Sequence, residues 1–329
     1  MHRRTLLKVF LAAIATVTGA RAQKPSSQEE LDRRVAELRA KAIAAFPFEH
    51  VEVRGEDALA TWTKLKAEDR GSPVVLGGDE DFDRVLMPFD PSNPFPMKSI
   101  EEILAAAARL RIPDDLFARR AQQDAGGEKA MKEILDKPDD QIPTVIERKD
   151  GSIVISFSSK DTPVPVPGFE DGRVMSPTEA RAYLSKQSPG PDLGKWPDMP
   201  DTAPGLSVAM DLLKNMPLPS VHITLIPTQD WTEIPAYLRW GGWNDCPDPE
   251  YHVAALRSWR DRYSVELVGL SGDTMNLRGA RPPLMRDEAI ALAREQYAYC
   301  TDLVYQGTQT ISNLAAALMA NDWWFFWWD

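Results

Sequence analysis

Apolar residues recur along this chain with two distinct periods. A helical period comes first: Leu31, Val35, Leu38 and Ile43 fall on one stripe of a helix predicted over 29–45. Val51 and Val53 alternate around Glu52 as a short strand, and Trp62 and Leu65 sit in a helix predicted over 57–67. Pro73 to Gly77 reads as a buried strand ended by glycine. Four prolines over 88–97 require a loop, after which Ser99 and Glu102 have capping-box spacing for a helix over 100–110. Thr144 to Phe157 is a hairpin, with Asp150-Gly151 between two β-branched runs. The stretch 187–204 holds five prolines and few apolar residues, and it is the best boundary between an N-terminal region and a C-terminal domain.

Beyond that stretch the alternation is cleaner. Val221 to Ile226 and Ile234 to Leu238 read as strands. Asp248 and Pro249 open a helix on which His252, Leu256, Trp259 and Tyr263 share a face. Strands are predicted over 265–270 and 275–277, and helices over 286–300 and 310–320. The chain closes Trp323-Trp324-Phe325-Phe326-Trp327-Trp328-Asp329. As a strand this segment is apolar on both faces, so both must be covered, and it is expected to be central in the sheet. The expected fold is α+β, a mixed sheet with helices packed on it.

Composition changes this picture in one respect, the compartment. Met1-His2-Arg3-Arg4, an apolar run over 9–17 and Ala20-Arg21-Ala22 have the three-part order of an export signal, so 1–22 is read as a signal peptide and the mature chain as periplasmic or secreted. Arg3-Arg4 before Leu-Leu-Lys resembles a twin-arginine signal, although His2 stands where Ser or Thr is usual, so both export routes stay open. The apolar run is short for a membrane span and no second one follows. The mature organisation is then an N-terminal α+β region over 23–204 and a C-terminal domain over 205–329. The net charge of −11 argues against nucleic acid and anionic lipid as partners, which call for basic stripes.

The candidate chemistry gathers in the C-terminal part. Cys246 and Cys300 are the only cysteines, and in an exported protein they form either a disulfide, worth roughly 4 kcal/mol, or two buried thiols. His252 lies in the first turn of its helix, where the dipole favours a neutral imidazole; Asp245, Cys246, Glu250 and Asp302 are its candidate neighbours. Cys246, His252, Cys300 and Asp302 offer donors of zinc-binding type, but at no standard zinc spacing, and a core histidine is the plainer account. Trp240, Trp243 and Asn244 flank Gly241-Gly242 and combine ring faces with an amide, as sugar- and peptide-binding loops do; the alternative is a turn that plugs the core. There is no nucleophile elbow, phosphate loop or dinucleotide fingerprint, and no cofactor is implied.

Three segments together carry a family resemblance. Pro235-Ala236-Tyr237-Leu238-Arg239-Trp240-Gly241-Gly242-Trp243-Asn244-Asp245-Cys246-Pro247, Glu295-Gln296-Tyr297-Ala298-Tyr299-Cys300-Thr301-Asp302 and the closing aromatic run resemble the bacterial domain-of-unknown-function family DUF4253. The resemblance covers about 219–329 closely and 49–110 more loosely; Ser264-Val265 and Thr301 depart from the family's usual Gly-Ala and Pro. It implies a domain and no established activity. Three functional readings follow. The leading one is a non-enzymatic binding or interaction module for a small molecule or protein, with its surface near Trp240, Trp243, Asn244 and His252. The second is a hydrolase or thiol-dependent enzyme using Cys246, His252 and Asp302. The third is an immunity or inhibitor-like partner protein.

Overall fold

A computed structural model describes residues 28–90, 93, 96–149, 151, 153–156, 172–186, 190–279 and 281–328. The expected export signal over 1–22, the hairpin's Asp150, Ser152 and Phe157, residues 187–189 of the proline-rich stretch and Asp329 lie outside the described residues. In chain order the elements begin α1 Gln28–Ala45, β1 Glu49–Val53, α2 Ala58–Ala67, β2 Ser72–Gly77 and α3 Asp79–Leu86. There follow α4 Ile100–Ala107, α5 Asp114–Leu135, β3 Thr144–Glu147, β4 Ile153–Ser156, β5 Arg173–Val174 and α6 Pro177–Leu184. After the proline-rich stretch come β6 Met210–Asp211, β7 Met216–Pro217, β8 Val221–Ile226, α7 Ile234–Leu238 and α8 Pro249–Tyr263. The chain then forms β9 Glu266–Leu270, β10 Thr274–Arg278, α9 Arg286–Tyr299, a π-helical turn Leu303–Thr308, α10 Ile311–Ala320 and β11 Trp323–Trp327.

One six-stranded sheet organises the molecule, in the order β1-β8-β2-β9-β10-β11. Neighbours are antiparallel except β2 and β9, which run parallel, so the sheet is mixed and the fold is α+β as expected. Strands from both sides of the proline-rich stretch interleave, with β2 between β8 and β9. The stretch itself lies along α10. Asp192 and Leu193 carbonyls accept from the backbone N–H groups of Ile311 and Ser312 at 3.1 and 2.8 Å, and Asn321 grips Asp201 and Ala203 at 2.9 and 3.0 Å.

Alternation along the strands feeds two cores. Val74, Leu76, Leu267, Leu277 and Phe326 pack beneath α3 and α7–α10, while Val75, Ile223, Val268 and Trp323 pack under α2 and Val208. Both faces are covered, so the central strands need no polar side. The capping box at Ser99 and Glu102 is present, and α4 ends at Ala107. No described helix is long and apolar enough to cross a membrane.

Two expectations are corrected. Ile234 to Leu238 is a helix, not a strand: Asp230 accepts from Thr232 N–H at 3.1 Å, a 3-10 turn leads in, and Pro235 stands in the first turn, where its missing N–H does no harm. The aromatic strand is the edge of the sheet rather than its centre. Its alternation holds, with Trp324, Phe326 and Trp328 buried and Trp323, Phe325 and Trp327 half-buried. Helices cover its faces; among the described residues no strand lies beside its outer edge.

Candidate functional site

The sequence-predicted residues fall into three places. The first is a buried cluster in which the loop before α8 meets the end of α9. His252 is fully buried, its Nδ1 shares a hydrogen bond with the Tyr299 hydroxyl, and its Nε2 lies 3.5 Å from Cys246 Sγ. Nδ1 accepting from Tyr299 leaves the ring proton on Nε2, which also faces the Pro247 carbonyl. Trp240 packs 4.7 Å from the His252 ring and donates its indole N–H to the Ser271 carbonyl at 2.6 Å. Gly241 makes this possible: its φ of 118° favours glycine, and a Cβ there would stand 2.6 Å from His252 Nε2.

Desolvation governs the protonation of this cluster. Burial pushes His252 down to about 3, with the positive field of Arg119 acting in the same direction, so the imidazole is neutral at pH 7. Burial also raises the Cys246 thiol far above its ordinary value, the neighbouring Cys300 adding to it, and does the same to the Tyr299 hydroxyl. Cys300 is pushed up to about 12 by burial. The cysteines are free, so the disulfide is not formed; Cys300 Sγ donates instead to the Trp327 carbonyl at 3.1 Å. Among the described residues no group of three or more His, Cys, Asp or Glu side chains is placed to hold a metal, so the zinc set does not assemble.

Asp245 belongs to a second place, turned away from His252. Arg120 forks onto its carboxylate at 2.6 and 3.1 Å, Thr301 Oγ1 donates to it at 3.0 Å, and Arg119 donates to its backbone carbonyl at 2.7 Å. Burial lowers Arg119 from its ordinary value, opposed by the Asp245 charge. These arginines come from α5, which the sequence reading did not predict. Glu250 pairs with Lys98 at 2.5 Å, so it is not a partner of His252 either. Of the proposed recognition loop, Trp240 is buried, Trp243 is half-buried edge-on against it at 4.9 Å, and Asn244 is exposed. The tryptophans plug the core.

The third place is a cavity of about 260 Å³ along the free edge of β11, walled by that strand, the π-helical turn, one side of α10 and residues 201–204. Asp302 lines it, its carboxylate accepting from Gln306 at 3.0 Å, rather than approaching Cys246 and His252. Trp323, Trp324, Phe325 and Trp327 line it from the strand, and Gln296 of α9 lies at its wall. Gln296 is 1% exposed, yet its amide Nε2 finds no hydrogen-bond acceptor among the described residues. A buried donor left unpaired costs about 1–3 kcal/mol, and such a group is explained by a missing partner. Gln296 belongs to the tyrosine-rich motif, in which nothing marks it as a binding residue. Its signal was a polar residue beside Tyr297 on the buried face of α9.

Backbone phase gives the strand edge a chemistry of its own. Trp328 N–H donates to the Asp273 carbonyl at 3.1 Å and Gly279 N–H to the Asp322 carbonyl at 2.5 Å, in the register that pairs Phe326 with Met275. Even-numbered residues of β11 therefore bond to β10, and the N–H and C=O groups of Trp323, Phe325 and Trp327 point outward. Trp327 C=O takes the Cys300 thiol; the outward groups of Phe325 have no partner among the described residues.

No curated protein and no solved structure matches this chain. The looser likeness over 49–110 lies outside the residues matched by a family. Residues 222–329, from β8 to the aromatic end, match the model of the family described as Domain of unknown function (DUF4253), the family that the tryptophan-rich, tyrosine-rich and closing aromatic motifs resemble.

Proposed function

We propose that this protein is a binding module that receives an apolar group of its ligand in the cavity beside β11. The observation that carries the reading is the coincidence, in one cavity, of four aromatic residues of an edge strand with the amide of Gln296, which has no partner among the described residues. Apolar walls with a few fixed polar groups are the usual composition of a ligand site. The volume suits one large side chain or a two-ring compound. The export signal in residues 1–22 supports a periplasmic or secreted place of action; Edman sequencing of the mature protein starting at Gln23 is the expected result.

The thiol-dependent reading has less support. Its nucleophile would be Cys246, but burial holds that thiol protonated, and its base would be His252, which has no access to solvent. Its third member, Asp302, lies in the cavity wall instead.

Titration with the neutral fluorophore N-phenyl-1-naphthylamine tests the binding reading. Saturable enhancement at one probe per chain is expected, and Ala317→Trp, at the half-buried cavity wall, should abolish it. Equal enhancement in the wild type and a folded Ala317→Trp variant would refute the cavity as the site.

A further inference from the structure

Resting on the cavity reading above, we propose that the ligand is a peptide in extended conformation, which adds to the sheet alongside β11 and places one apolar side chain in the cavity. Three observations converge on this class. The outward N–H and C=O of Phe325 form the donor and acceptor pair that one residue of an antiparallel strand satisfies. That same residue lines the cavity, between Trp323 and Trp327, so a strand on the edge would set a side chain beside it. Gln296 Nε2 offers a donor to a carbonyl or hydroxyl entering the cavity. A sugar would use the rings and the amide but not the strand edge; a hydrocarbon would use the rings alone.

Charge narrows the partner. Asp201 and Asp302 stand in the cavity wall and neither Lys nor Arg lines it. The chain as a whole carries −11. The complementary peptide has lysine or arginine on either side of its apolar residue. The pairing is also short. Trp327 C=O already accepts the Cys300 thiol at 3.1 Å, which leaves Trp323 and Phe325 as the residues of β11 whose two outward groups have no partner among the described residues. Specificity then comes chiefly from the side chain in the cavity and from the charges, with the backbone fixing register.

Calorimetric titration of the full chain with an acetylated, amidated pentapeptide tests this; the peptide has leucine at its centre and lysine at both ends. Saturable binding at one peptide per chain, with displacement of N-phenyl-1-naphthylamine, is expected. N-methylation of successive peptide residues is the decisive arm, because only alternate N–H groups face the strand edge. Methylation should weaken binding about three- to ten-fold at alternate residues and leave the others unchanged. Replacing both lysines by glutamate should weaken it further. Uniform tolerance of N-methylation would overturn the strand-addition proposal. A fluorophore that binds in the cavity but is not displaced by the peptide would overturn the peptide class and leave the cavity reading intact; binding of neither would remove both. Sedimentation of the same samples identifies the rival occupant. A concentration-dependent dimer that the peptide fails to dissociate would place a second copy on the edge and overturn the proposal.

Discussion

Two adjacent residues of the aromatic strand should differ sharply in what they contribute to stability. Phe326 is fully buried, stacked 5.4 Å from Trp259 at an interplanar angle of 7° and edge-on to Tyr299 at 5.2 Å. Phe325 is half-buried and faces the cavity. Truncating Phe326 to alanine removes a transfer contribution of about 1.5–3 kcal/mol. It also removes three aromatic pairs, the third with Trp328 at 6.1 Å, worth about 0.5–1.5 kcal/mol each, and leaves a void among rings that cannot close over it. The expected cost is about 3–5 kcal/mol, a large share of a typical net stability of about 5–15 kcal/mol. Phe325→Ala opens an existing cavity further and keeps the β10 pairing, so it should cost about 1 kcal/mol.

Urea unfolding followed by circular dichroism measures both variants, with equal m-values as the check that the same transition is compared. Phe326→Ala should lower the melting temperature by roughly 6–15 °C and Phe325→Ala by a few degrees. Equal losses, or a larger loss at Phe325, would refute the assignment of Phe326 to the core face and of Phe325 to the half-buried cavity face. The binding assays should rank the pair the other way, with Phe325→Ala weakening ligand and Phe326→Ala acting only through unfolding.

Further outcomes test the buried groups. Because His252 is held neutral with its pKa near 3 while the unfolded chain titrates at about 6.5, the unfolded state binds more protons as pH falls below 6.5. Stability should therefore drop by about 1.5 kcal/mol between pH 6.5 and 5, above the range where most ordinary carboxylates titrate, and His252→Gln should flatten that slope. An unchanged slope in a folded variant would show that His252 is not the group responsible. Native protein should resist iodoacetamide at pH 8, whereas unfolding should release two titratable thiols; rapid native labelling of Cys246 would instead revive the thiol-enzyme reading. Asp245→Asn should cost about 2–3 kcal/mol in urea unfolding, since it takes the forked carboxylate from the buried Arg120 and leaves only Asp124, at 3.6 Å, as counter-charge. Gly241→Ala should destabilise by more than about 1 kcal/mol, from strained φ and collision with His252; a neutral effect would mean the loop is held less tightly than its geometry shows.

How far the chain could be read depended on what side-chain patterns encode. Alternation along 323–328 reports which faces are covered, and both are. Strand neighbours lie in the plane of the sheet, where hydrogen bonds leave no side-chain trace, so a strand apolar on both faces can still be an edge. Ile234 to Leu238 failed for another reason: five apolar residues fit either period, and only Pro235 behind the Asp230 cap favoured the helix. Helix α5 carries Gly126-Gly127 and a mostly polar surface, so it offered no stripe to read, and with it the partners of Asp245 stayed hidden. The cavity joins segments near 201, 296, 305 and 325, whose meeting is a property of topology rather than of local pattern.

The residues that looked reactive in the sequence have a different part in the site. Trp328 packs 5.5 Å from Trp240, 5.8 Å from His252 and 5.4 Å from Tyr299, so the Cys246–His252–Tyr299 cluster forms the socket for the end of β11. Cys300 then holds the carbonyl of Trp327, one residue earlier, from the edge side. The pair fixes where the outward groups of Phe325 and the mouth of the cavity stand relative to Gln296, three residues before Tyr299 on the same helix. This coupling has a consequence. Conservative changes in the socket, such as Tyr299→Phe, which removes only the hydroxyl that meets His252, should weaken ligand binding at the cavity beyond their effect on stability, although no socket atom lines it. Paired measurements of affinity and unfolding free energy separate the two. Affinity that follows the folded fraction alone would mean that the strand end is positioned by β10 and the helices, without help from the socket.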